Sequence, residues 1–456
     1  MRSCTMAAAL LGSALVVLPT TTASAAGGDV PAAHAGAEAF STGRAAGHAV
    51  LPANDGWAAA GPGTTGGSAA GADQVHVVRS RAELIAALGG DNATNRNNAT
   101  PKIIYVRGVV DGFEGADGRL LDCADLADPA YSLDAYLAAY DPAVWGRVNP
   151  SGPLEEARVR SVANQTRQTQ INVGPNTTIV GLPGARLTGL TLMLDTASNV
   201  IVRNLDLVDA RDCFPAWSPT DGENGNWNSQ FDLISVRRSE NVWVDHNTFS
   251  DGDNPDRDQP IHFGRPYQVH DGALDVTHTA SLVTASYNRF VGRDKVMLIG
   301  SSNTVGPDVG RLRVTLHHNL FDGTLQRLPR VRFGQVDAYN NVYRLAGEGF
   351  GYALGVGVQS ALYAENNYFA LGPGVAAGDL VYDWGGTAIT ERGNWVRTPG
   401  ELPRPVGLLD AYNAAHDPDL GPDVGWTPTL RAARPQPAPL VALTVPLLAG
   451  AGRLAR

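Results

Sequence analysis

Cysteine is nearly missing from this chain: three residues in 456. One of them, Cys4, lies just ahead of an apolar N-terminal run, so only Cys123 and Cys213 remain for the body of the protein. That excludes a disulfide-dense scaffold, and no Cys/His spacing suits zinc. Basic charge is also short, with 35 Lys and Arg against 45 Asp and Glu and a net charge of −10. A general nucleic-acid or membrane-surface binder is therefore disfavoured. No EF-hand loop is present. Beyond the run Ala7 to Leu18, which is too short for a comfortable span, no stretch looks transmembrane. From Ile171 to Phe369 the helices that a doubly wound α/β fold needs between its strands are missing as well.

What is present first is an export signature. Arg2, the apolar run and Ala23-Ser24-Ala25 read as a signal peptide over residues 1–25, so the mature protein is expected to be secreted, soluble and extracellular. Residues 26–53 form a loose Ala/Gly-rich lead-in. Order is expected from Asn54-Asp-Gly-Trp57, with strands at Val75 to Ser80 and Lys102 to Gly108. Between these strands Ser80 can cap a short helix that places Leu84, Ile85 and Leu88 on one face. Residues 121–168 carry Leu133, Tyr136, Leu137 and Tyr140 at helical spacing and read as a helical insertion. The main domain is assigned to 54–400, and residues 401–456 to a tail that packs over its end. Export makes a Cys123–Cys213 bridge feasible; the sequence leaves both states open. A monomer is the default.

Repeats carry the architecture. Short β-branched segments end in asparagine: Asn199 to Asn204, Asn241 to Asn247, Leu282 to Asn288, Arg313 to Asn319, Gln335 to Asn341 and Ala361 to Asn367, with a degenerate copy at Ile389 to Asn394. Such repeats, separated by variable loops, predict an all-β solenoid. Asparagine suits its corners, because it tolerates the left-handed region and its amide can bond its counterpart one coil away.

The corner asparagines serve as a ruler for the charges. Asp232 falls 15 residues before Asn247, Asp275 13 before Asn288 and Arg327 14 before Asn341. Asp271 lies four residues ahead of Asp275. Lys295 falls into line once Asn303 to Gly310 is treated as an inserted loop. Since coils stack at strand spacing, three carboxylates, a lysine and an arginine should meet on one edge. Carboxylates from adjacent coils make a hard-oxygen site of the kind calcium accepts, and Arg and Lys beside it match an acidic polymer. Asp232, Asp271 and Asp275 also have a plainer reading as loop caps, and Arg327, Arg330 and Arg332 one as salt-bridge partners. His246, His317 and His318 read as packing residues. Trp217 and Trp227 are candidates for stacking on sugars, whereas Trp243 reads as core.

At these residues the chain resembles the calcium-dependent pectate lyases of polysaccharide lyase family 1. The resemblance rests on Trp227-Asn-Ser-Gln-Phe-Asp232, Val242-Trp-Val-Asp-His246, Phe263-Gly-Arg-Pro-Tyr267, His270-Asp-Gly-Ala-Leu-Asp275, Asp294-Lys-Val-Met-Leu-Ile-Gly300 and Gln326-Arg-Leu-Pro-Arg-Val-Arg-Phe-Gly334, and covers about Pro52 to Trp395. It implies a single-stranded right-handed parallel β-helix and cleavage of α-1,4-polygalacturonate (pectate) by β-elimination. It further implies Asp232, Asp271 and Asp275 as Ca2+ ligands, Arg327 as the catalytic base, and Lys295 and Arg332 as binders of substrate carboxylates. Asp221 and Asn228 are candidates for secondary calcium. Gln230 stands where one branch of the family has a further calcium aspartate. Pectin lyases share the fold but lose the calcium aspartates, so their retention favours a de-esterified substrate. Because free arginine stays protonated, the base role requires its pKa to be lowered, which is the expected effect of Ca2+, Lys295 and Arg332 around Arg327. Two rivals remain at this stage: a polygalacturonase-like hydrolase using Asp251, Asp253 and Asp256, and a β-helical adhesin or glycan-binding module.

Overall fold

The computed structural model describes residues 45–454; the expected signal peptide and most of the lead-in lie outside them. Among the described residues three long sheets are stacked, parallel except for the last strand of the third, and each complete coil contributes one strand to each sheet. One coil, for example, supplies Ile234–Arg237, Glu240–Asp245 and Thr248–Ser250; the next supplies Leu274–Thr277, Ser281–Ser286 and Arg289–Val291. The first sheet has ten strands from Val75–Val78 to Ile389–Arg392, the second eight from Gln170–Asn172 to Val381–Trp384, and the third ten beginning at Val109–Asp111. This is a parallel β-helix. Its interior is a continuous column of Val, Ile, Leu and Phe side chains, because alternate residues of every strand face inward. Phe249, Phe290, Phe321, Tyr343 and Phe369 stack along the axis with ring centroids 4.5–5.0 Å apart.

The asparagine ladder is complete from Asn247 through Asn288, Asn319, Asn341 and Asn367 to Asn394. Each backbone N–H donates to the next Oδ1 at 2.9–3.0 Å. The left-handed residue is not the ladder asparagine but the one before it: His246, Tyr287, His318, Asn340 and Asn366 have φ between 50° and 54°. The corner thus divides two jobs, one residue turning the chain and the next bonding between coils. His246, Tyr287 and His318 then stack on the outside, with centroids 4.9 and 4.8 Å apart. Asn288 accepts from the amide of Asn247 and donates to Val244 and Asn319. Asn288→Ala is therefore expected to cost about 3 kcal/mol, since it strands buried backbone groups. A denaturant midpoint measurement checks this.

Helix Arg81–Leu88 starts where Ser80 accepts the N–H of Glu83. The segment between the Val109–Asp111 strand and the second sheet holds helices Cys123–Leu126, Leu133–Ala139, Pro142–Trp145 and Pro153–Thr169. Cys123 and Cys213 are joined, with Cα atoms 5.4 Å apart. Trp217 and Trp227 are buried in one aromatic cluster with Tyr136, Tyr140 and Tyr267. They hold the helical segment to the solenoid and are not available to a sugar, contrary to the sequence reading. Trp243 is buried beneath Ala58 and Leu51 of the N-terminal segment. The C-terminal tail covers the last coil with Leu408–Asn413 and then turns back along the flank of the solenoid. There Arg431 pairs with Asp337 at 2.6 Å and with Glu365 at 2.5 Å, and helix Ala438–Leu448 packs on Leu320, Val342 and Tyr368.

Candidate active site on the second sheet

Asp232, Asp271, Asp275, Lys295, Arg327, Arg330 and Arg332 all sit on or next to strands of the second sheet. Asp275 lies within its strand and pairs in register with Ser235. Asp232, Asp271, Lys295 and Arg327 each lie a few residues before a strand of consecutive coils, and Lys295 bridges Gln326, the neighbour of Arg327. Asp232 lies three residues ahead of the register of Asp275, one more than the ruler gives, yet Asp232 and Asp275 still face each other across Gly272. The Gly272 N–H donates to Asp232 Oδ1 at 3.0 Å. A Cβ at this glycine would stand 2.1 Å from Asp275 Oδ1 and 3.0 Å from Asp232 Oδ1. Glycine is therefore the residue that lets the two carboxylates approach.

The two carboxylates are buried and repel. Burial, then the charges of Asp275 and Asp271, pushes Asp232 well above the usual carboxylate range. Burial and Asp271 push Asp275 up to about 7, against the pull of Arg327 and Lys295. Asp271 faces the cations, with Oδ1 3.2 Å from an Arg327 NH1 and 3.7 Å from Lys295 Nζ. Among the described residues no group of three or more acidic, His or Cys side chains closes around a metal position. The donor chemistry nevertheless fits a hard divalent cation: two buried carboxylates held together at a gap that only glycine permits, with a third beside them.

Arg327 adopts φ 59° and is half-buried among these groups. Burial lowers its pKa, but Asp271 and Asp275 outweigh that and hold it above the ordinary value. In the chain alone the carboxylates dominate, whereas the lowered pKa is expected with Ca2+ in place. Arg332 behaves differently. Burial, then Arg330 and Arg327, lowers it to about 10. Its Nε donates to Asn303 at 2.6 Å and its NH1 to the Gly300 carbonyl at 2.8 Å. Asp221 and Asn228 lie on the hairpin of Ala216–Ser218 and Asn226–Asn228, 3.4 Å apart, away from the Asp232–Asp275 pair in hydrogen bonding but with the charge of Asp221 felt at Arg330.

Sequence reasoning missed the buried network behind the site. His270 contacts Asp209 at 2.9 Å and Asp256 at 3.1 Å. Burial would lower its pKa, but those hydrogen bonds hold it up at about 9, so it is a cation at neutral pH. Arg293, almost fully buried, pairs with Asp251 and donates to the carbonyls of Asp271 at 2.7 Å and Lys295 at 3.4 Å. It ties the backbone of the carboxylate loop to that of the lysine loop. Arg293→Met should destabilise the protein by about 3–5 kcal/mol, because it leaves Asp251 charged and short of its partner. Urea melts of this variant and of Arg293→Met/Asp251→Asn, expected to recover part of the loss, check it. The same contacts engage Asp251 and Asp256 in ion pairs, so they are not a free acid–base pair for hydrolysis.

Carboxylates, a lysine and arginines thus gather on one outer face of a parallel β-helix, and comparison with known proteins assigns that arrangement to the polysaccharide lyases. A family model described as pectate lyase matches residues 148–400. The pectate lyase of Bacillus subtilis (strain 168) is 42% identical over 395 residues, covering 85% of this chain and 89% of that protein. A solved thermostable pectate lyase superposes with a TM-score of 0.88 at 45% identity, covering 90% of this chain and 99% of that one. A pectate lyase solved with a bound hexasaccharide gives 0.83 at 41% identity, with coverage of 90% and 99%. The chain belongs to the pectate lyase family, polysaccharide lyase family 1.

Proposed function

We propose that the chain is a secreted enzyme that cleaves de-esterified α-1,4-polygalacturonate by calcium-dependent β-elimination. The observation that carries this reading is Asp271 facing Arg327 and Lys295 beside the buried Asp232–Asp275 pair. Asp232, Asp271 and Asp275 would hold Ca2+, with Asp221 and Asn228 available to a second ion that arrives with substrate. When bound, calcium neutralises these carboxylates, removing what holds the Arg327 pKa up, and adds positive charge beside the uronate carboxylate.

The chain's own residues do the rest. Lys295 and Arg332 take the substrate carboxylate, orient the ring and spread the charge that develops when the proton α to that carboxylate leaves. Arg327 receives H5. The C5–H electrons form the C4–C5 double bond, the C4–O bond breaks, and the departing oxygen takes a proton to become a new reducing end. The other fragment carries a 4,5-unsaturated sugar, and no water is consumed. Retained calcium-type carboxylates favour pectate over the methyl ester. The adhesin alternative has no use for Lys295, Arg327 and Arg332 in line with a carboxylate cluster.

Ultraviolet absorbance of the new double bond tests the reading. It should rise on polygalacturonate with calcium, stop in excess EDTA, and climb through the alkaline range as Arg327 loses its proton. New reducing ends without absorbance would mean hydrolysis, and an optimum below about pH 6 would contradict the arginine base.

A further inference from the structure

The C-terminal tail carries two apolar faces where a helix packed on a protein needs one. In helix Ala438–Leu448 the side chains of Ala438, Val441 and Val445 are buried against Leu320, Val342 and Tyr368 of the third sheet. Leu440, Leu443 and Leu447 stand at the i, i+3 and i+7 positions of the opposite face. They are 47%, 69% and 69% exposed, and Leu448 beside them is 45% exposed. The solvent face of a docked helix is ordinarily polar, yet Thr444 is the only polar side chain in this helix. A contiguous stripe of exposed leucine marks an interaction site.

The charge around the stripe has one sign. Residues 424–456 include four arginines and no aspartate or glutamate, in a chain of net charge −10. Arg431 is taken up by Asp337 and Glu365. Arg434, ahead of the helix, and Arg453, beyond its end, are exposed and hold no ion pair among the described residues. The helix packs on strands Val342–Leu345 and Tyr368–Ala370. These two and the strands on either side, Leu320–Thr324 and Trp395–Arg397, hold Arg344, Arg397 and a single acid, Asp322. Two arginines share that acid, Arg289 at 2.7 Å and Arg344 at 3.8 Å. The acidic balance of the whole chain is screened beyond a Debye length, about 10 Å at 0.1 M salt, so the local arginines decide what approaches this face.

We infer that this face docks the protein on an anionic lipid surface, with the leucine stripe at the acyl boundary and the arginines at the phosphates. Among the described residues no helix is long and apolar enough to cross a membrane, so this one lies in the plane of the interface. A second copy of the chain would suit the leucines but not the charges. Pairing two such helices in either direction sets arginine against arginine at both ends. The docking face is on the third sheet and the catalytic residues are on the second, so a docked molecule keeps its cleft open to polymer. The inference stands apart from the catalytic reading.

The test is co-sedimentation of the protein freed of residues 1–25 with two kinds of vesicle, phosphatidylcholine alone and phosphatidylcholine with an equal part of phosphatidylglycerol. EDTA is present, so that calcium cannot bridge carboxylates to phosphates. Binding should be about tenfold tighter on the anionic vesicles and should fall steeply between about 50 and about 500 mM salt. Leu443→Gln/Leu447→Gln and, separately, Arg434→Gln/Arg453→Gln should each weaken it about tenfold. Both variants should keep the wild-type Tm and the wild-type rate on soluble polygalacturonate. No binding to the anionic vesicles, or equal binding to both compositions, would overturn the inference. So would a concentration-dependent dimer in light scattering that the leucine variant converts to monomer, because a second copy would then cover the stripe.

Discussion

Arg327→Ala should cut elimination on polygalacturonate by about 10³–10⁴-fold while leaving the fold intact. The side chain stands 3.2 Å from Asp271, so removing it deletes the group proposed to take the α proton without opening the solenoid core. Arg327→Lys should recover little. An ammonium would still offer a cation to Asp271, but it lacks the planar fork and reach of the guanidinium. Initial rates of double-bond formation measure the loss, and a thermal melt shows that folding is kept. A variant within tenfold of wild type would remove Arg327 from the chemistry.

Asp232→Asn should have opposite effects with and without calcium. In the metal-free protein burial, and then the neighbouring carboxylates, make ionised Asp232 and Asp275 unfavourable and raise the pKa of both. Neutralising one member should raise the melting temperature in EDTA. In calcium the same change should abolish most of the stabilisation that the ion gives wild type, and most of the activity. The pair also sets a pH dependence. Each folded pKa lies above its unfolded value near 4, so the native state holds more protons between about pH 4 and about pH 7. Metal-free wild type therefore loses stability as pH rises through that window. Asp232→Asn should flatten the slope. Melts in EDTA across pH 4 to 8 check both, and an unchanged slope would mean that Asp232 is not held above its unfolded pKa. Gly272→Ala, whose Cβ would press on both carboxylates, should weaken calcium binding at least as much as Asp232→Asn does; calorimetric titration with calcium is the measurement.

Much of this site is legible in the sequence because a solenoid converts spacing into proximity. Asp275, Lys295 and Arg327 occur at similar places in successive repeats, and stacking turns that into neighbourhood. The asparagines that supplied the ruler are the same side chains that bond coil to coil. Legibility stops where neighbours are not repeats. His270, Arg293, Asp209 and Asp251 come from separate turns and loops, and none carries a signal until the coils are stacked. Trp217 and Trp227 misled because an aromatic pair on a hairpin looks the same whether it waits for a sugar or for the helical segment that covers it. The sign of the Arg327 shift depended on which charges lie nearest, and the nearest is Asp271.

The most direct test of calcium-dependent elimination is a count on one digest of polygalacturonate: double bonds formed against new reducing ends, with calcium and then in EDTA. Elimination predicts one double bond for every new reducing end in calcium, and neither in EDTA. Reducing ends without double bonds, or cleavage that continues in EDTA, would contradict it.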